Sequence, residues 1–143
     1  MNYEIVSIHE KALVGISERS NKQSSNMKLW GTFYQKYYSK INGICNEKVY
    51  GVYNNFTLDG CNSVIACECM PNIEQPEGVD AVIIPEGKYA KFTIVGEVHE
   101  VVPRFWEELD KIRLDRAYIC DYEEFPNSLT ENVTINIYIS IKA

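Results

Sequence analysis

Three carboxylates lie within an aromatic and apolar stretch near the end of the chain, an unusual setting for acidic side chains. The stretch Arg116–Phe125 is rich in Tyr, Ile and Phe, a composition typical of a β-strand. Side chains of a strand alternate between its two faces, so Glu123 shares a face with Phe125, whereas Glu124 points the other way. Asp121 has the same phase as Glu123, so the pattern does not separate these two as the inward-facing acid.

A carboxylate on an apolar face is unfavourable unless it is paired, hydrogen-bonded or neutralised. An unpaired Glu123 would therefore be a site for a cationic ligand. The alternative is that Arg113, Arg116 or a backbone N–H group satisfies the carboxylate, which would make it structural.

The length and charge of the chain narrow the classes of function. A chain of 143 residues is predicted to form a single domain, residues 1–143. Its net charge of -6 argues against direct binding of nucleic acid or of an anionic membrane, because such surfaces need clustered Lys and Arg. The sequence contains neither a signal peptide nor an apolar run long enough to cross a bilayer, so we expect a cytoplasmic protein.

The five cysteines are odd in number and lack the spacing of a disulfide framework, which fits a reducing compartment. Cys67 and Cys69 would point the same way on one strand, but the spacing is poor for a zinc knuckle. The imidazole ligands available are His9 and His99. We therefore predict buried free thiols, no metal site and no cofactor.

Two amphipathic helices are predicted. The first follows a polar run at residues 19–26, with Ser24, Ser25 and Asn26 as N-cap candidates, and ends at Asn42-Gly43. Its apolar stripe comprises Trp30, Phe33, Tyr34, Tyr37, Tyr38 and Ile41. The second covers residues 98–113, and its apolar face comprises Val102, Phe105, Trp106, Leu109 and Ile112. Pro103 is compatible with this helix only if the helix begins late enough to place the proline in the first turn.

The remaining apolar runs predict strands. They cover residues 3–7, 12–18, 48–56, 62–70, 79–85, 88–95, 116–125 and 132–141, with a turn at 126–128 before the last.

The two halves of the chain, about 1–70 and 79–143, share the order strand, helix, strand, strand. In the closest local match Tyr53 corresponds to Tyr122 and Phe56 to Phe125, so that Asn54 takes the place of Glu123. Such duplicated units usually pack around a pseudo-two-fold axis, which favours a ligand groove where the two halves meet.

Six short motifs in this order resemble the gyrase-inhibitor-like (GyrI-like) small-molecule-binding domains, which are similar to the effector-binding domains of AraC-type and MerR-type regulators. The motifs are Leu29-Trp30-x2-Phe33, Tyr50-Gly51-Val52-Tyr53, Ile84-Pro85-Glu86-Gly87-Lys88-Tyr89-Ala90-x-Phe92, Phe105-Trp106, Arg116-x-Tyr118-x2-Asp121-Tyr122-Glu123-x-Phe125 and Ile137-Tyr138-Ile139.

The resemblance implies an α+β fold, in which an antiparallel sheet built from a duplicated strand-helix-strand-strand unit carries two helices and has a central ligand groove. In multidrug-sensing relatives a strand glutamate meets cationic aromatic compounds, and the matching residue here is Glu123. Relatives usually carry Phe-Glu-x-Tyr where this chain has Tyr122-Glu123-Glu124-Phe125. With no accompanying DNA-binding part in the sequence, the expectation is a stand-alone version of the domain.

The sequence is compatible with three functions. The first is a binding module for a small aromatic or cationic molecule, acting as a sensor, with Glu123 as the charge and Trp30, Tyr34, Tyr53, Trp106 and Tyr138 as walls. The second is a hydrolase in which Glu123 is the general base and Tyr53 or Tyr138 the proton donor, although no established catalytic constellation supports an enzyme. The third is a gyrase-inhibitor-like interaction with a protein partner such as a topoisomerase.

Overall fold

The structure is a computed structural model that describes residues 1–23, 27–126 and 132–143. The predicted N-caps Ser24, Ser25 and Asn26, and residues 127 and 128 of the predicted turn, lie outside these ranges. The strands are β1 Glu4–Ile8, β2 Lys11–Ser20, β3 Val49–Thr57, β4 Gly60–Glu68, β5 Asp80–Ile84, β6 Gly87–Gly96, β7 Arg116–Phe125 and β8 Val133–Ile141, and the α-helices are α1 Met27–Thr32 and α2 Val98–Leu109.

The described residues form one eight-stranded antiparallel sheet in the order β1-β6-β8-β7-β3-β4-β2-β5. Both helical segments pack on one face of it, where they cover two apolar clusters. The predicted α+β fold with an antiparallel sheet and two helices is therefore confirmed. Neither helix within the described ranges has the length and apolar character that crossing a bilayer requires.

The first helical segment differs from the uniform helix that the aromatic stripe predicted. After α1 the chain continues as a π-helical turn, Phe33–Tyr37, and then as a 3-10 turn, Tyr38–Lys40. A π-helical turn holds more residues than an α-turn, so it shifts the aromatic side chains around the helix axis. Consequently Leu29 and Phe33 are buried in this segment, whereas Tyr34 is 37% exposed.

Helix α2 begins at Val98, too early for Pro103 to lie in its first turn as predicted from sequence. Glu97 caps it by accepting a hydrogen bond from the backbone N–H of Glu100 at 3.1 Å. Pro103 is thus the sixth helical residue and lies inside the helix, so the prediction that it lies in the first turn was wrong. Proline has no backbone N–H, so the helix lacks one hydrogen bond at Pro103. Packing of Val102, Phe105, Trp106 and Leu109 on the sheet offsets this loss.

The sheet curls strongly, and this buries the face that carries no helix. Strand β5 is at one end of the strand order and β6 is next to the other end, yet only residues 85 and 86 connect them. Such a link spans at most about 11 Å between the Cα atoms of Ile84 and Gly87. Ile84 and Tyr89 accordingly pack in the same interior cluster. The concave interior therefore forms a third apolar core.

The strand order is symmetric about the central β7–β3 pair, since β8 and β6 follow on one side and β4 and β2 on the other. The outer strands cross between the halves, because β1 pairs with β6 and β5 pairs with β2. The residue match proposed from sequence does not hold here. Tyr53 belongs to the cluster beneath α2, whereas Tyr122 belongs to the opposite, concave face.

Candidate functional site

Glu123 lies on β7 near the centre of the sheet, on the face that carries the helices. Its neighbours across the ladder are Gly51 on β3 and Ile137 on β8. The side chain is only 2% exposed, although its strand position is surrounded by aromatic and aliphatic residues. The structure thus places this carboxylate in a largely apolar core beneath the helices.

Two hydrogen bonds hold the Glu123 carboxyl group. The indole Nε1–H of Trp106 donates to Oε2 at 3.0 Å, and the hydroxyl group of Tyr53 donates to Oε1 at 3.3 Å. Trp106 reaches the carboxyl group because it lies on the buried face of α2. Tyr53 comes from β3 and packs edge-to-face on Trp106, with 5.3 Å between the ring centroids. A charged group and two aromatic residues from three elements therefore meet at one point.

Gly51 provides the space for this carboxyl group. A Cβ atom at position 51 would lie 2.6 Å from Glu123 Oε1, too close for any real contact. Gly51 stands in the motif Tyr50-Gly51-Val52-Tyr53, but it was not among the residues predicted from sequence to form the site. A glycine inside a strand is itself a signal, since it marks close approach of another group.

Burial determines the protonation of Glu123. Desolvation raises its pKa from 4.5 to about 7, against the two hydrogen bonds from Trp106 and Tyr53, which lower it. Within the described parts of the chain no ion pair involves Glu123. The carboxyl group is therefore poised to exchange a proton near neutral pH.

Asp121, the other candidate acid, has the arginine partner that Glu123 lacks. Its Oδ2 accepts hydrogen bonds from Arg116 Nη2 at 2.6 Å and Gln23 Nε2 at 2.9 Å, while Oδ1 accepts from the backbone N–H of Ser140 at 2.9 Å. The pairing of β7 with β8 shifts between residues 116 and 121, and Tyr118 in this bulge has a φ of 54°. The bulge brings Arg116 to Asp121, so the structural role considered for Glu123 belongs to Asp121.

An aromatic cavity of about 280 Å³ opens between the two helical segments, beside the Glu123 site. Its lining includes Trp30 and Tyr34 from the first segment and His99 from α2, with Phe125 of β7 in common with the buried core. Trp30 packs edge-to-face on Phe125 at 5.0 Å and stacks with Tyr34 at 6.0 Å. Phe125 follows Glu123 by two residues on the same face, so the Cα atoms of the two residues are about 7 Å apart along the strand.

A second cavity, of about 510 Å³, lies on the other side of Trp106. Its lining is charged and includes Lys22, Glu107 and Asp110 as well as Arg116. The Trp106 side chain, 9% exposed, therefore separates this charged cavity from the Glu123 carboxyl group.

Tyr138 is the one proposed wall residue that the structure does not bring to this site. It pairs with Tyr122 across β7 and β8, and the two rings stack at 4.5 Å in the concave interior. Glu123 faces the opposite side of the sheet. Of the sequence-based candidates, Tyr53 and Trp106 touch Glu123, while Trp30 and Tyr34 line the neighbouring cavity.

The arrangement can bind an aromatic molecule and supply one negative charge or one proton. It offers no ligand set for a metal, because no three His, Cys, Asp or Glu side chains of the described residues converge in that way.

Comparison with known proteins gives a family. The model of the Cass2 family, described as integron-associated effector binding protein, matches residues 4–141. The chain is similar to an integron cassette protein from the mobile metagenome of Vibrio cholerae, with 25% identity and a TM-score of 0.76. That match covers 98% of this chain and 95% of the cassette protein. No curated protein sequence matches the chain.

Two further solved structures share the fold. SAV2435, solved with bound tetraphenylphosphonium, is 18% identical with a TM-score of 0.78, over 100% of this chain and 95% of its own. The C-terminal domain of EcmrR is 13% identical with a TM-score of 0.63, over 99% of both chains.

Proposed function

We propose that this chain, which belongs to the Cass2 family of integron-associated effector-binding proteins, binds a small aromatic cation through Glu123 and the aromatic cavity beside it. The ligand's rings would pack against Trp30, Tyr34 and Phe125, and its positive charge would meet the Glu123 carboxylate. As a sensor module, the protein would signal occupancy of this site to a partner chain.

The observation that carries the proposal is a buried acid with aromatic neighbours and no cationic partner among the described residues. A carboxylate held only by neutral donors remains under-compensated in an apolar environment. A cationic ligand would relieve that cost, and each ring contact with the cation would add about 0.5 to 2 kcal/mol. A neutral molecule of the same shape would gain only the packing. Charge selectivity is therefore the expected property of the site.

Access to Glu123 requires a rearrangement, because the side chain is nearly inaccessible in this structure. Trp106 must move for a ligand to contact the acid, because its indole N–H occupies Glu123 Oε2. The ligand's cationic centre would then replace the indole N–H as the partner of Oε2.

Binding can be measured from the fluorescence of Trp30 and Trp106 during titration with tetraphenylphosphonium, the molecule bound in SAV2435. Triphenylphosphine oxide is the neutral comparison. We expect Glu123→Gln to weaken binding of the cation by about 10- to 100-fold, the size of a lost charged contact, and to leave the neutral compound nearly unchanged.

Glu124→Gln is the matched control. Glu124 is the adjacent acid on the opposite face, paired with Lys48 at 3.5 Å, so its loss removes the same charge from the protein without touching the site. Equal weakening by both variants, or equal weakening for both compounds, would refute the proposed role of Glu123.

A second candidate function is hydrolysis of an electrophilic small molecule. The observation that favours it is the Glu123 pKa of about 7, which suits a general base, with the Tyr53 hydroxyl group 3.3 Å from the same carboxyl group. Tyr138 does not contribute, since it lies in the concave interior. Turnover of esters and epoxides that is lost in Glu123→Gln would establish this activity.

A further inference from the structure

The thiol groups of Cys67 and Cys69 are in contact with each other. Both residues are distant in sequence from Glu123. Cys67 is the last residue of β4 on the face that carries the helices, and Cys69 follows it by two residues. Their Sγ atoms are 3.9 Å apart. The other cysteines do not share this arrangement: Cys61 and Cys120 belong to clusters on opposite faces of the sheet, and Cys45 is exposed.

The pair lies beside a cavity. Cys69, which is 4% exposed, lines a space of about 360 Å³ whose walls include Leu13, Val14 and Val79, and Cys67 lies behind it, fully buried. The Sγ–H of Cys67 is directed to the carbonyl oxygen of Val14 at 3.8 Å, and that of Cys69 to the carbonyl oxygen of Cys67 at 3.6 Å. Both thiols therefore have only weak hydrogen-bond partners, and Cys69 lines a largely apolar space.

Burial and the mutual proximity of the sulfurs raise the pKa of Cys67 to about 12, and burial raises that of Cys69. Neither group is a thiolate at neutral pH, so a species that binds through both sulfurs must displace both thiol protons. Because the site is buried, the product should also be uncharged. The pair provides too few ligands for a zinc ion, which needs four. No third His, Cys, Asp or Glu of the described chain lies with the two cysteines.

We propose that Cys67 and Cys69 form a dithiol site for a trivalent organoarsenical, a molecule that needs only two sulfur ligands because it brings its own carbon ligand. For R–As=O, two As–S bonds form, the As=O bond and both S–H bonds break, and the oxygen leaves with the two protons as one water. Arsenic remains trivalent and the product is neutral. The organic group R would occupy the cavity lined by Cys69, which exceeds the roughly 150 Å³ that accommodates benzene in an apolar protein cavity.

Phenylarsine oxide is the probe, and Cys45→Ser is the starting protein because it removes the exposed thiol. We expect intact-mass spectrometry of the native protein to show one adduct that has lost one water. Excess glutathione should leave the adduct in place and ethanedithiol should remove it. Adding Cys67→Ser or Cys69→Ser should weaken retention by at least about 100-fold, since a chelate becomes a single bond. Adding Cys61→Ser or Cys120→Ser should have no effect.

The site can also be mapped without substituting either cysteine of the pair. Treated Cys45→Ser protein, denatured and alkylated, should show Cys67 and Cys69 protected together while Cys61 and Cys120 are alkylated. Circular dichroism identifies any serine variant that fails to fold. In that case the alkylation pattern of the treated Cys45→Ser protein tests the proposal by itself. Absence of the adduct, or protection of another pair, would overturn the proposal. Displacement of the arsenical by an equal concentration of Cd²⁺ would overturn its preference for a two-ligand acceptor.

Discussion

The indole N–H of Trp106 donates to Glu123 Oε2 at 3.0 Å and thereby joins α2 to the central strand of the sheet. An indole N–H group can only donate, so it cannot accept a proton from the acid. The contact stabilises the carboxylate, but desolvation is the larger effect and raises the pKa to about 7. Glu123 is therefore a buried group whose charge changes near neutral pH.

Protein stability should fall as pH rises through this range. The folded-state pKa of Glu123 is above its ordinary 4.5, so the folded protein keeps a proton that the unfolded chain has released. The resulting stability is complete below pH 4.5 and is lost as pH passes about 7. The change in the free energy of unfolding should reach up to about 3 kcal/mol, measured by urea denaturation from pH 4.5 to 8.

Glu123→Gln should flatten this dependence and make the protein more stable than the wild type at pH 8. The glutamine amide can donate to Tyr53 and its oxygen can accept from Trp106, which reproduces the neutral acid. A Gln variant with the same pH slope as the wild type would show that another group titrates.

Gly51→Ala should disrupt the site from the neighbouring strand. The added Cβ would meet Glu123 Oε1 at 2.6 Å, so the carboxyl group must leave its hydrogen bonds to Tyr53 and Trp106. We expect a loss of about 1 to 3 kcal/mol in the free energy of unfolding, together with weaker binding of tetraphenylphosphonium.

The control is Gly31→Ala in α1, where an added Cβ has nothing within 4 Å. There we expect unchanged or slightly higher stability, because alanine favours the helix. Equal destabilisation by the two substitutions would contradict the proposed role of Gly51.

Asp121→Asn should cost stability without changing charge selectivity. Asp121 is fully buried and accepts from Arg116, Gln23 and Ser140, so the substitution leaves the guanidinium group without its anion. Breaking a buried pair of this kind costs about 3 to 5 kcal/mol, which thermal and urea denaturation would detect. In protein that remains folded, the ratio of affinities for tetraphenylphosphonium and triphenylphosphine oxide should not change. A collapse of that ratio would assign the ligand charge to Asp121.

Trp106→Phe keeps an aromatic ring over the site and removes the N–H donor. Because that hydrogen bond lowers the pKa of Glu123, its loss should raise the pKa further. The pH midpoint of tetraphenylphosphonium binding should move upward. A midpoint that stays in place would mean that the indole does not contact the acid in solution.

The sequence was sufficient for the fold class and for part of the site. Alternation along β7 put Glu123 and Phe125 on one face, and the helical stripe of α2 put Trp106 toward the sheet. These inferences need only the local periods of a strand and a helix. They do not extend to contacts between distant elements.

The features that escaped prediction depend on such distant contacts. Tyr138 appeared to be a wall residue because the sequence does not show that the sheet curls and buries its second face with tyrosines. The choice between Asp121 and Glu123 depended on the bulge at Tyr118, which brings Arg116 to one of them. Gly51 became part of the site only once the register of β3 against β7 was known.

Contact between the Glu123 carboxylate and the ligand's positive charge can be tested by the number of protons released when the cation binds. Calorimetry of tetraphenylphosphonium binding, in buffers that differ in ionisation enthalpy, measures this number. If Glu123 meets the charge, binding should release most of one proton at pH 6, much less at pH 8, and in Glu123→Gln none at either pH. Equal proton release by the wild type and Glu123→Gln, or no release by the wild type at pH 6, would contradict the account.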